Sequence, residues 1–114
     1  MEIPFTSDEL ILTMIGLIRS VNPRMLQQGP EGFTVDFEPI EKKNAPLTSD
    51  EVLLLKLRAA LEGSGESGSL GLDLEAAEGK RLEAALARLE GMQTWPLDVL
   101  AMSQGIRDRL AGMK

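Results

Sequence analysis

The sequence predicts a predominantly helical α+β domain in the order α-β-α-β-α-α, with a minimal two-stranded element. Three observations carry this. The phrase "TSDE" occurs twice, at Thr6 and Thr48, each time opening an apolar run. A short alternating segment follows each run, "FTVDFE" at Phe33–Glu38 and "LGLDLE" at Leu70–Glu75. The last third of the chain then shows helical apolar stripes and no further alternation.

The first helix, over about residues 7–21, is set by its start. Thr6 at the N-cap and Glu9 three residues on form a capping box, while Phe5 and Leu10 have hydrophobic-staple spacing. Asp8 and Glu9 also suit the positive end of the helix dipole. The run Leu10–Ile18 is apolar on nearly every side, as in a helix covered on most faces. Asn22–Pro23 ends it. "QQGPEG" (Gln27–Gly32) makes a turn before the first strand, and alternation puts Phe33, Val35 and Phe37 on one face.

The second helix, over about 49–62, repeats the whole start in Leu47, Thr48, Asp50, Glu51 and Val52. "EGSGESGS" (Glu62–Ser69) reads as a flexible connector. The second strand places Leu70, Leu72 and Leu74 on its apolar face. A helix over about 75–91 carries the stripe Leu82, Leu86 and Leu89, with Gly91 as its C-cap. The last helix begins near "TWPLD", with the stripe Val99, Met102, Ile106, Leu110 and Met113.

The expectation is one domain over 1–114, with pseudo-repeats at 4–38 and 46–75 and a C-terminal helical pair at 75–113. A chain of this length buries roughly two-thirds of its extended surface, so its core needs no metal or disulfide staple. Two strands alone leave unpaired edges, so pairing with a second copy would complete a four-stranded sheet. Together with the apolar first helix, this points to a homodimer, with Leu10, Met14 and Ile18 as interface residues. Trp95, the single tryptophan, either plugs the corner between the last two helices, the reading its position favours, or anchors an interface.

Composition excludes several chemistries. The chain has no His, Cys or Tyr, so thiol nucleophiles, disulfides, cysteine-ligated zinc and the usual neutral-pH proton shuttles are absent. The expectation is a non-enzyme without a cofactor. Net charge is −6, with −4 in residues 1–57 (nine acidic, five basic) and −2 in residues 58–114 (nine acidic, seven basic). Neither half offers a phosphate-tracking surface, so no nucleic acid is expected. The last two helices could be read as a helix-turn-helix, but the second opens "PLDVLAM", a poor fit to base edges or phosphates. The string "GSGESG" (Gly63–Gly68) has a helix before it and a strand after it, the reverse of a dinucleotide-binding turn. No apolar run reaches membrane-spanning length, and the acidic first residues do not resemble a signal peptide. With no cysteine, a cytoplasmic location is expected.

Asp36 with Glu38, and Asp73 with Glu75, form the most distinctive polar set. On adjacent strands these carboxylates would crowd one face, where a hard divalent cation or a basic partner would relieve the repulsion. The functional expectation is therefore a small non-catalytic interaction or regulatory protein, acting on itself or another protein, in the manner of an accessory subunit or an immunity-like inhibitor. The alternative is a domain binding a divalent cation or small ligand through the strand carboxylates.

Overall fold

The computed structural model describes residues 2–30, 32–63, 70–92 and 94–112. Its elements are β1 (Glu2–Phe5), α1 (Ser7–Val21), a 3-10 turn (Pro23–Met25), β2 (Leu26–Gly29), β3 (Gly32–Val35), α2 (Glu38–Glu41), α3 (Ser49–Gly63), β4 (Leu70–Asp73), α4 (Ala76–Met92) and α5 (Leu97–Ala111). The class is the expected one, predominantly helical α+β. The four long helices fall within a residue or two of their expected bounds. "EGSGESGS" lies largely outside the described residues.

Both capping boxes form. In α1 the Glu9 amide donates to Thr6 Oγ1 at 3.2 Å, and the Thr6 amide donates to Glu9 Oε1 at 2.8 Å. In α3 the Thr48–Glu51 pair repeats the geometry at the same two distances. A third helix uses half of the device: in α4 the Glu75 amide donates to Glu78 Oε1 at 2.9 Å.

Each of these glutamates also meets a cation from elsewhere in the chain. Arg109 of α5 forks onto Glu9 at 2.8 and 2.7 Å, Lys43 reaches Glu51 at 2.5 Å, and Lys56 of α3 reaches Glu78 at 2.9 Å. The Arg109 guanidinium, followed by the Thr6 amide, holds the Glu9 carboxyl below its ordinary range against an opposing effect of burial. Lys43 does the same for Glu51. At Glu78 burial pushes upward, but the Glu75 amide and Lys56 together outweigh it and the net shift is down.

α1 is the centre of the molecule. It packs against α3, α4 and α5, and its two ends meet β1 and β2. Leu10, Leu17 and Ile18 are fully enclosed together with Leu54 and Leu57 of α3, Leu82 and Leu86 of α4, and Ile106 of α5. Thr13 is also enclosed, and its hydroxyl donates to the Glu9 carbonyl at 2.8 Å, so no polar group is stranded there. α1 and α4 approach closely at Gly16, where a Cβ would lie 3.4 Å from the Ala85 carbonyl oxygen, about van der Waals contact.

The strands depart from expectation. "FTVDFE" and "LGLDLE" do not pair with each other. β3 pairs antiparallel with β2 as a local hairpin (Leu26 opposite Val35), and β4 pairs antiparallel with β1 (Ile3 opposite Leu72). Both expected strands thus find partners within the chain, so no second copy is needed to pair them. β1 was hidden because it is four residues long and contains Pro4, which is tolerated in a two-stranded ribbon but reads as a breaker. β3 is also shorter than expected. The Glu38 amide donates to Asp36 Oδ1 at 3.0 Å and turns the chain into α2, so Phe37 and Glu38 lie beyond the strand. The two repeated phrases therefore share their caps and helices, while their strands enter different sheets.

Two predictions follow from the caps. Thr6→Ala removes the N-cap acceptor of the central helix and lowers unfolding free energy by about 1 kcal/mol, measured by urea denaturation. The second is a pH effect. Because the folded Glu9 carboxyl titrates below its ordinary value of 4.5, the unfolded chain takes up this proton first. The stability contributed by Glu9 is present above that value and is lost as pH falls through the folded one. Arg109→Gln makes the midpoint of acid unfolding less dependent on Glu9, so that Glu9→Gln costs less in that background than in the native chain.

Candidate functional site

The four strand carboxylates are divided between two places. Asp36 caps the turn into α2, and Glu38, in the first turn of α2, pairs with Lys42 one turn on. Asp73 ends β4 opposite Glu2, and Glu75 is the N-cap of α4. Because β3 and β4 lie in separate sheets, the structure does not bring the two pairs together. Among the described residues, no group of three or more acidic side chains is arranged to hold a metal ion.

The expected interface residues also have other work. Leu10 and Ile18 have no exposed surface, and Met14 is 5% exposed. All three are covered by the chain's own helices, because α1 is central and not an outer layer. Trp95 takes the corner position. It is half-buried against the core between α4 and α5, and its indole N–H donates to the Leu89 carbonyl at 2.7 Å. That bond satisfies one of the last carbonyls of α4, which have no partner inside the helix.

One face of α1 nevertheless remains open. Ile11 is 43% exposed and Ile15 is half-buried, one turn apart on the side away from α4. Beside them is a groove of about 210 Å³, lined by Ile11, Met14, Ile15, Leu26, Val35 and Leu61. α1 forms one wall, the β2–β3 hairpin the second, and the end of α3 the third. Every lining residue is apolar, and Met14, from the expected interface set, forms part of its base. The other two helix residues of that set, Leu10 and Ile18, face inward, and Ile11 and Ile15 flank Met14 along the groove.

The signal for this stripe was present. A helix apolar on all sides has a second face that the core cannot use. What hid it was the central place of α1, which sequence alone does not reveal. The groove holds no ionisable group, so it has no means of proton transfer, metal ligation or nucleophilic attack; it can bury an apolar side chain. Other exposed apolar side chains are Leu47, Val52, Met92 and Leu97. Leu47 and Val52 are the staple positions of α3, where Phe5 and Leu10 of α1 are buried.

No helix among the described residues is long and apolar enough to cross a membrane. Comparison with protein-family models, with curated proteins and with solved structures finds no match to this chain.

The separation of the carboxylate pairs gives a direct expectation. Millimolar Mg²⁺ or Ca²⁺ leaves the melting temperature unchanged at constant ionic strength, read by circular dichroism; a specific rise would require the pairs to meet in a shared site.

Proposed function

We propose that the protein is a non-catalytic interaction module of the cytoplasm that associates with a second copy of itself through the α1–hairpin groove. The observation that carries this reading is Ile11, which leaves nearly half of its surface in water on the central helix of the fold. It stands beside a recess formed by apolar residues. A two-fold arrangement lets the Ile11 of each copy enter the groove of the other, as an isologous interface requires. Ile11 is 43% exposed, so burying that remainder contributes on the order of 1 kcal/mol, and the symmetric contact does so twice.

Charge favours the same face. Two copies each carrying −6 repel over most of their surface, and a patch without ionisable groups is where they can meet without opposing like charges. The absence of His, Cys and Tyr from the chain supports a non-catalytic role, and the absence of cysteine suits a reducing compartment.

Analytical ultracentrifugation tests the proposal. The native chain is expected to sediment as a dimer at tens of micromolar, and Ile11→Asp to sediment as a monomer. The melting temperature of the variant monomer should stay close to that of a native sample diluted to monomer, since Ile11 does not fill the core. A native chain that remains monomeric throughout, or an Ile11→Asp variant as dimeric as the native, overturns this reading.

A further inference from the structure

A second recess differs from the groove in carrying charged side chains around its rim. Between the last turns of α1, the start of α3 and the outer side of α4 lies a cleft of about 260 Å³. Its floor is small and apolar, formed by Leu17, Ala84 and Ala85. Lys80, Arg81 and Arg88 stand around it with Ser20 and Asp50. The spacing explains the convergence. Residues 80, 84 and 88 are successive turns of one helix face, and 81 and 88 are two turns apart. The alanines leave open the space between the cations.

Both arginines are held in place. Arg81 donates through one terminal nitrogen to Asp50 at 2.9 Å, and Arg88 through one to Ser20 Oγ at 3.1 Å. Each keeps its other terminal nitrogen without a protein acceptor among the described residues. Lys80 is exposed and makes no ion pair there. Three cations and one carboxylate give this cleft a local charge of +2 on a chain of net −6. A neighbouring cleft of about 400 Å³ shares Ser20 and Asp50 and continues past Asn22, Lys43 and Thr48.

We propose that the cleft of Lys80, Arg81 and Arg88 binds the phosphoryl group of a phosphate monoester, whose organic remainder extends past Ser20 and Asp50 into the neighbouring cleft. The charge balance selects this ligand. Asp50 already supplies one carboxylate to the cluster, and a second would leave a positive charge unmatched. A phosphate monoester carries a charge of about −1.5 to −2 at neutral pH with three strong acceptor oxygens, one for each cation. Two tethered guanidinium forks suit that geometry better than mobile lysines. Three cations in a single cleft, on an otherwise acidic chain, provide no track for a nucleic-acid backbone. The inference is independent of the groove and of the oligomeric state.

The test is an amide NMR titration of the native chain at fixed ionic strength. The probes are free phosphoserine, a short peptide containing phosphoserine, and the same peptide with aspartate in its place, with chloride as the control. Saturable shifts confined to Ser20, Asp50, Ala84 and Arg88 are expected with both phosphorylated probes. Lys80→Ala should weaken binding by about threefold and Arg88→Ala by about tenfold, in line with charge-assisted contacts. Both side chains are exposed, so both variants should keep the native melting temperature; Lys80→Ala, which breaks no ion pair among the described residues, remains informative if Arg88→Ala does not. Tighter binding of free phosphoserine assigns a small ligand, and tighter binding of the peptide assigns a phosphorylated partner segment. Shifts that match chloride, that are unchanged in Lys80→Ala, or that are equally strong with the aspartate peptide overturn the proposal.

Discussion

The structure depends on what the Glu9 carboxylate does at the start of α1. It accepts the Thr6 amide at 2.8 Å, completing the cap, and takes the Arg109 guanidinium in a fork at 2.8 and 2.7 Å. Arg109 also donates to the Pro4 carbonyl at 3.0 Å. One largely buried acid therefore joins the end of β1, the first turn of the central helix and the last turn of α5, across 100 residues of chain. Helix capping and tertiary docking are the same event here. Without the first turn of α1, Arg109 would keep only the Pro4 carbonyl, and an undocked α5 would leave the Glu9 carboxylate without its cation.

The motif recurs with different consequences. Glu51 and Glu78 also combine a cap with a cation, but Lys43 lies only eight residues from Glu51, and Lys56 joins two helices adjacent in sequence. Only the first copy closes the fold from end to end. The staples diverge in the same way: Phe5 and Leu10 are sealed in the core, while Leu47 and Val52 face solvent. Identical local chemistry sets where a helix begins. It does not set which layer the helix occupies.

The two recesses reflect that layering. α1 has more apolar surface than its neighbours can cover, and the excess appears as Ile11 and Ile15 beside the hairpin. α4 uses one face for its leucine stripe and turns Lys80, Arg81 and Arg88 outward over alanines that leave a hollow. One recess can exclude water around an apolar side chain, and the other can balance negative charge. Neither draws on the carboxylate-rich strand ends that stand out in the sequence. Those carboxylates serve local ends instead: Asp36 caps a turn and Glu38 pairs within its own helix.

The sequence by itself determined the four long helices and where they start, because caps, staples and 3.6-residue stripes act between residues three or four apart; the short α2, where the strand was expected to run on to Glu38, was not legible in it. It also determined the predominantly helical α+β class, and it excluded thiol and imidazole chemistry by lacking the residues. The Trp95 corner was legible because a lone tryptophan between two helix ends has few other places to go. Tertiary structure alone decided that Ile3 meets Leu72 across the chain, since a four-residue strand containing proline specifies no partner. It alone placed Leu10, Met14 and Ile18 inside and Ile11 outside, because a helix apolar all round has no preferred inward face until its neighbours choose one. The separation of Asp36 and Glu38 from Asp73 and Glu75 has the same origin: strand pairing is a long-range choice, and alternation along a strand does not reveal it.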